Sequence, residues 1–166
     1  MASRIPLVLM LLDKSTGGEV LSNLRRSASI QQIAIISDLA EVGALDGAEH
    51  CLMVPSLLDS YQDGACLCCG LNSALGDHLR RIFFQALSNK KNKLAGVIVL
   101  SEQADPDSIK FTLKHAPFLG QRYRYAGCLD IRFESAGAMQ TQSAVGASYV
   151  KGVEDMLLDT VHYGSC

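Results

Sequence analysis

The stretch Ile5-Pro6-Leu7-Val8-Leu9-Met10-Leu11-Leu12 contains no polar side chain and stops at Asp13-Lys14. It is too short to cross a bilayer, which takes about 20 residues, and no small-residue cleavage site follows it as in a signal peptide. It therefore predicts a buried β-strand. Leu94-Ala95-Gly96-Val97-Ile98-Val99-Leu100 is a second run of this kind. Strands that are apolar without alternation are typical of parallel sheets covered on both faces.

Shorter apolar runs and helical patterns alternate along the rest of the chain. The runs predict further strands at 33–36, 51–54 and 125–133. Three- and four-residue spacing of apolar side chains predicts helices at about 19–26, 71–86 and 143–158. We expect a Gly17-Gly18 turn before the first helix, and Asp105 and Pro106 as the cap and first residue of another. This order predicts one α/β domain over residues 1–166, a mostly parallel sheet flanked by helices in three layers.

Composition narrows the classes of partner. The chain has 166 residues, of which 48% are hydrophobic and 19% charged, with a formal net charge of −2. Such a charge gives no electrostatic ground for nucleic-acid binding, and no run is long enough for a membrane span. Six cysteines with three clustered do not resemble a disulfide framework. We therefore predict a cytoplasmic protein with neither a nucleic-acid nor a membrane partner.

The cluster Cys66-Leu67-Cys68-Cys69 places three thiols within four residues. Such close thiols cannot all pair with one another, and a disulfide between the adjacent Cys68 and Cys69 would be strained. Deprotonated, the three can converge on one soft ion such as zinc or copper(I). The alternative is three small buried residues, but a turn-like Asp63-Gly64-Ala65 precedes the cluster. The sequence predicts a metal site at Cys66, Cys68 and Cys69, with zinc or another soft divalent ion.

Four segments, in order and with fitting spacing, resemble the nucleotide-binding domain of the CobW-type P-loop GTPases, relatives of the nickel-insertion GTPases of urease and hydrogenase. The segments are Ile5-Pro6-Leu7-Val8 in register with Leu21-Ser22-Asn23, and residues 37–47, 66–71 and 101–106. The third matches the G-C-x-C-C metal motif of that family. The resemblance implies a P-loop NTPase-like fold, and it makes Glu41 a candidate additional metal ligand. The pair His50-Cys51, at the start of a predicted strand, is a weaker candidate.

The phosphate-binding loop of the family is degenerate in this chain. A P-loop needs glycines that expose backbone N–H groups, a lysine for the β- and γ-phosphates and a Ser or Thr for Mg²⁺. At the aligned positions the first glycine is Leu12, the lysine is Gly18 and the Ser/Thr is Glu19. Gly17, Gly18 and Glu19 are thus the remnant of a cofactor-binding loop. We do not expect it to bind GTP and Mg²⁺.

Other parts of the nucleotide site also differ from the motifs of that family. The acidic residue at the end of a later family strand aligns with Val99, and the switch glycine aligns with Glu102. The guanine-reading motif does not follow the last helix, and the usual carboxy-terminal domain of the family is absent from this sequence. No Ser, Cys, His and Asp set stands in a recognisable catalytic context, so we assign no catalytic residue.

Three functional hypotheses follow. The first is a CobW-like metal-binding protein with a degenerate GTPase site, which handles zinc or binds a partner in a metal-dependent way. Its partner would be an acceptor metalloprotein or a second copy. The second is an active or weak GTP-binding metallochaperone. The third is a non-catalytic interaction or dimerisation protein.

Overall fold

The structure is a computed structural model, and it describes residues 4–26, 32–38, 51–53, 74–88, 94–132 and 142–158. The strands are β1 (Ile5–Leu11), β2 (Ile33–Ser37), β3 (Cys51–Met53), β4 (Gly96–Ser101) and β5 (Tyr123–Asp130). The helices are α1 (Lys14–Arg26), α2 (Ala74–Ser88), α3 (Pro106–His115), α4 (Pro117–Arg122) and α5 (Gln142–Leu158). None of the described helices combines the length and the apolar character that crossing a bilayer requires.

The strands form one sheet in the order β3-β2-β4-β1-β5, and every neighbouring pair is parallel. The first strand of the chain lies inside the sheet, since Leu9 pairs with Val99 on one side and with Cys128 on the other. Nearly all of β1 and all of β4 are buried. The predicted α/β class, a parallel sheet flanked by helices, is confirmed.

Two apolar cores lie on opposite faces of the sheet. Because successive side chains of a strand point to opposite faces, Leu7 and Leu9 belong to one core while Val8 and Met10 belong to the other. Helices α2, α3 and α4 cover the first face, and α1 and α5 cover the second. The molecule therefore has three layers, as predicted.

Helix α1 begins at Lys14, and the predicted Gly17-Gly18 turn is wrong. The first helical turn closes on the carbonyl oxygen of Asp13. This oxygen accepts hydrogen bonds from the Thr16 amide (3.0 Å), the Thr16 hydroxyl (2.9 Å) and the Gly17 amide (3.1 Å). A glycine inside a helix costs about 1 kcal/mol relative to alanine, and packing of the apolar face of α1 on the sheet outweighs that cost.

The predicted start of α3 is confirmed. The Asp105 carboxylate accepts hydrogen bonds from the backbone N–H groups of Asp107 and Ser108, each at 3.2 Å, and Pro106 is the first helical residue. These contacts satisfy donors that the first turn of a helix leaves free. They also lower the pKa of the Asp105 carboxyl, with the Ser108 hydroxyl adding a further hydrogen bond.

The short helix α4 directly after α3 is a feature that the sequence patterns did not predict. Proline lacks the N–H group that would continue a helix, and its ring disfavours helical backbone at the preceding residue. Ala116 accordingly has extended angles (φ −103°, ψ 98°), and Pro117 starts the new helix. The break turns the chain toward the start of β5.

Candidate functional site at the carboxyl edge of the sheet

The neighbouring strands β1 and β4 send the chain to opposite faces of the sheet. β1 leads into α1 on one face, and β4 leads into α3 on the other. In open α/β sheets, ligands bind outside the carboxyl ends of the strands at such a switch of direction. The turns after β1 and β4, together with the ends of β2 and β5, therefore form the candidate site.

The connection between β1 and α1 is too short to be a phosphate loop. It consists of Leu12, which is buried and donates its backbone N–H to the carbonyl of Ser101 at 3.1 Å, and Asp13. A P-loop instead wraps a phosphate with several free backbone N–H groups. The predicted remnant residues Gly17, Gly18 and Glu19 lie inside α1, where the Gly17 amide is bonded to Asp13. This backbone does not form a phosphate cradle.

The predicted metal ligands Cys66, Cys68, Cys69 and Glu41 lie outside the described residues. The cysteines belong to the connection that leaves β3 after Met53 and enters α2 at Ala74. Within the described ranges, no group of three or more His, Cys, Asp or Glu side chains is arranged to hold a metal ion.

A buried hydroxyl joins the ends of β2 and β4. The Ser101 Oγ donates to Asp38 Oδ2 at 2.6 Å and accepts from the backbone N–H groups of Gln103 (3.2 Å) and Ala104 (2.9 Å). A hydroxyl has one proton to donate and two lone pairs, so these three bonds use its whole capacity. Ser101 is completely buried. It therefore fixes the turn into α3 and is not a free nucleophile.

Asp38, which accepts the hydrogen bond from the Ser101 hydroxyl, is half-buried. Burial raises the pKa of its carboxyl, the negative charge of Glu102 adds to the rise, and the hydrogen bond from Ser101 opposes it. Its other oxygen, Oδ1, is buried with no hydrogen-bond partner in the portion of the chain that is described. Our sequence reasoning did not single out Asp38 or Ser101; the available signal was a polar residue at the carboxyl end of each apolar strand.

An arginine closes the site on the β5 side. The guanidinium of Arg132 donates from Nε to Asp130 Oδ1 at 2.9 Å and from Nη1 to the backbone carbonyl of Glu102 at 3.1 Å. This pairing lowers the pKa of the Asp130 carboxyl. Arg132 thus ties the end of β5 to the turn after β4, and its charge is partly neutralised by Asp130.

Carboxylates dominate this edge of the sheet. Helices α1, α2, α3 and α5 start here, so their positive dipole ends point toward the site. Acidic side chains stand at or near these starts and at the ends of β2, β4 and β5: Asp13, Asp38, Asp77, Glu102, Asp105, Asp107 and Asp130. Those at the helix starts compensate the helix dipoles that would otherwise attract a phosphate. Three of these carboxylates are paired with cations at the same edge: Asp77 with Arg80, Asp107 with Lys110 and Asp130 with Arg132.

Comparison with known proteins finds no relative of this chain. No protein-family model matches the chain, and no curated protein sequence or solved structure matches it significantly.

Proposed function

We propose that this chain is a CobW-like metal-handling protein of P-loop NTPase-like fold, whose nucleotide site is degenerate and which binds zinc through Cys66, Cys68 and Cys69. The observation that carries the proposal is the presence of three thiols within four residues on the connection between β3 and α2. Zinc is the cargo of this protein rather than a resident cofactor.

The donor set fits a soft ion that must be released again. Thiolates bind zinc at about 2.3 Å, and structural zinc sites use four protein ligands. Three thiolates leave one position for Glu41, for water or for a ligand from the acceptor protein. Because the thiols must lose their protons to bind the metal, zinc affinity rises with pH.

Two features at the carboxyl edge of the sheet support the proposed loss of nucleotide binding. Only Leu12 and Asp13 separate β1 from α1, and carboxylates occupy the helix starts. Both features disfavour a triphosphate. The second hypothesis, a GTP-binding metallochaperone, is therefore the weaker proposal.

Metal content tests the proposal directly. We expect protein purified anaerobically to contain zinc near one equivalent by elemental mass spectrometry. The Cys68→Ser variant should lose this zinc, because two remaining thiolates hold the ion far more weakly, while its far-UV circular dichroism stays unchanged. Isothermal titration of the wild type with GTP and Mg²⁺ should give no binding heat.

Cys128→Ser is the matched control. Cys128 lies in β5, is half-buried, and its thiol has a pKa raised by burial. A thiol that stays protonated is a poor metal ligand, so this variant should keep its zinc. Wild-type protein that contains no metal and takes up no added zinc would contradict the metal proposal, and micromolar GTP binding would contradict the degenerate nucleotide site.

The third hypothesis, an interaction protein, is favoured by one specific observation. Phe84 and Leu87 are large apolar side chains that remain 56% and 61% exposed on α2. This surface lies at the edge of the sheet opposite to the carboxyl edge, so it is compatible with metal handling.

A further inference from the structure

An apolar and basic surface lies where α2 ends and α4 passes beside it. We name it the α2–α4 surface; it consists of Arg81, Phe84 and Leu87 on α2 and of Phe118 and Arg122 on α4. Among the described residues, Phe84 and Leu87 are the large hydrophobic side chains with the greatest exposure. The opposite face of α2 is part of the core, where Leu79 is completely buried.

The exposed aromatic ring is held in place by its neighbours. The ring of Phe84 stacks on that of Phe118, with centroids 5.7 Å apart and planes 19° apart. Phe83 meets both rings edge-on at 5.9 and 5.4 Å. The Arg122 guanidinium lies 5.2 Å from the centroid of Phe83. Because these rings are already held in place, their side chains lose little further entropy when a partner binds them.

A shallow, open depression of about 620 Å³ adjoins this surface on α2. It is lined by Arg81 and Phe84, which belong to the surface, and by Gln85 and Ser88 beside them. These positions follow the spacing i, i+3, i+4 and i+7, which forms one continuous face of an α-helix. A second helix can pack its side chains into the grooves of such a face.

The charge of the surface selects the partner. Arg81 and Arg122 are exposed, and neither forms an ion pair within the described ranges. No Asp or Glu occurs from His78 to the end of α2 or anywhere in α4, and Lys114 and His115 end α3 at the same edge of the sheet. A second copy of this surface would bring its own arginines against these. A partner with carboxylates would complement them.

We infer that the α2–α4 surface binds an acidic amphipathic helix of a partner protein. Apolar side chains of that helix pack on Phe84 and Leu87, and its carboxylates face Arg81 and Arg122. The inference does not depend on metal binding, since the cysteine connection joins α2 at its first residue, Ala74, whereas this surface lies at its last turns.

A displayed peptide library tests the inference on the intact protein. The library is helical, with leucine or phenylalanine fixed at i, i+4 and i+7 and the other positions varied among Glu, Lys, Ser and Ala. We expect enriched peptides to be rich in Glu. As synthetic peptides, they should bind Arg81→Glu and Phe84→Ser at least tenfold more weakly than wild type in fluorescence anisotropy. Exchange of one peptide Glu for Lys should restore binding to Arg81→Glu.

Lys151→Glu supplies the charge-matched control, because Lys151 is exposed on α5 at the other face of the sheet. Its affinity for the peptides should equal that of wild type. The inference is overturned by a library without enrichment, by enriched peptides without excess Glu, or by peptides that bind both surface variants as tightly as wild type. It is also overturned if Phe84→Ser abolishes a homodimer seen in sedimentation, or abolishes binding to phosphatidylserine vesicles.

Discussion

The hydroxyl of Ser101 links parts of the chain that are 63 positions apart in the sequence. Ser101 is completely buried, and its contacts with Asp38, Gln103 and Ala104 are buried or partly buried. A single side chain thus aligns the end of β2 with the turn that starts α3.

Removal of this hydroxyl is expected to destabilise the fold. Ser101→Ala leaves Asp38 Oδ2 and the Ala104 N–H without their partner, and a buried unsatisfied group costs about 1–3 kcal/mol. We expect the free energy of unfolding, measured by urea denaturation at pH 7, to fall by about 2 kcal/mol. Ser108→Ala removes a hydroxyl that bonds Asp105 at the surface and should change stability by less than about 0.5 kcal/mol. Equal losses in the two variants would contradict this role of Ser101.

The contact between Ser101 and Asp38 could not be predicted from the sequence. It depends on the register in which β2 pairs with β4, where Ser37 lies beside Leu100. Periodicity identifies the strands but gives neither their order nor their register. The cap of α3, by contrast, was predictable because Asp105 contacts residues only two and three positions further along the chain.

At the scale of elements, apolar runs and helical spacing predicted the strands and most helices. The differences between the predicted and the observed elements arise at glycine and proline. The pair Gly17-Gly18 suggested a turn, yet the chain there is helical because α1 packs an apolar face on the sheet. Pro117 produced an additional short helix, since it interrupts one helix and opens another. Local propensity was thus overridden by tertiary packing in α1 and was decisive between α3 and α4.

The helical state of α1 gives a prediction about its glycine. A Cβ atom added at Gly18 would have no heavy atom within 4 Å, and alanine favours a helix over glycine by about 0.5–1 kcal/mol. We expect Gly18→Ala to raise the free energy of unfolding by that amount in urea denaturation.

Gly120 in α4 is the contrasting control. A Cβ there would lie 2.7 Å from the backbone carbonyl oxygen of Leu113, so Gly120→Ala must displace backbone and should destabilise the protein. If Gly18→Ala destabilised the protein as well, the segment after Asp13 would not be the regular helix described here.

At the scale of the whole molecule, charge follows the direction of α3, which runs opposite to the strands. Asp107 lies in its first turn at the carboxyl edge of the sheet, and Lys114 and His115 lie in its last turn at the other edge. This arrangement complements the helix dipole at both ends. Helix α5 lacks the pattern, with no acidic residue in its first turn and no basic residue in its last.

The dependence of stability on pH reflects the environments of individual carboxylates. The pKa of Asp38 is raised above its ordinary value of 3.8 by burial, so the folded state binds its proton more tightly than the unfolded state does. The contribution of Asp38 to the free energy of unfolding is therefore present below pH 3.8, and it is lost as the pH rises through the pKa that Asp38 has in the folded state. We expect Asp38→Asn to remove this loss, so that the variant gains stability relative to wild type as the pH is raised toward 7.

Asp105→Asn should show the opposite trend. The pKa of Asp105 is lowered by its capping hydrogen bonds. Its contribution to the free energy of unfolding is therefore present above pH 3.8, and it is lost as the pH falls through the pKa that Asp105 has in the folded state. The variant should therefore lose stability relative to wild type as the pH rises. Urea denaturation at a series of pH values measures both differences, and parallel pH profiles for the two variants would refute the assignment.

The interior position of β1 has a consequence for synthesis on the ribosome. Leu7 pairs with Val97 and Leu9 with Cys128, so β1 is synthesised before both of its neighbours in the sheet and must wait for them. At about 5–20 residues per second, the wait for β4 alone is several seconds. During that time a nascent apolar segment has no place in a sheet. Such a segment is a natural substrate for chaperones that act at the exit tunnel, and slowing translation should increase the fraction of this chain that aggregates.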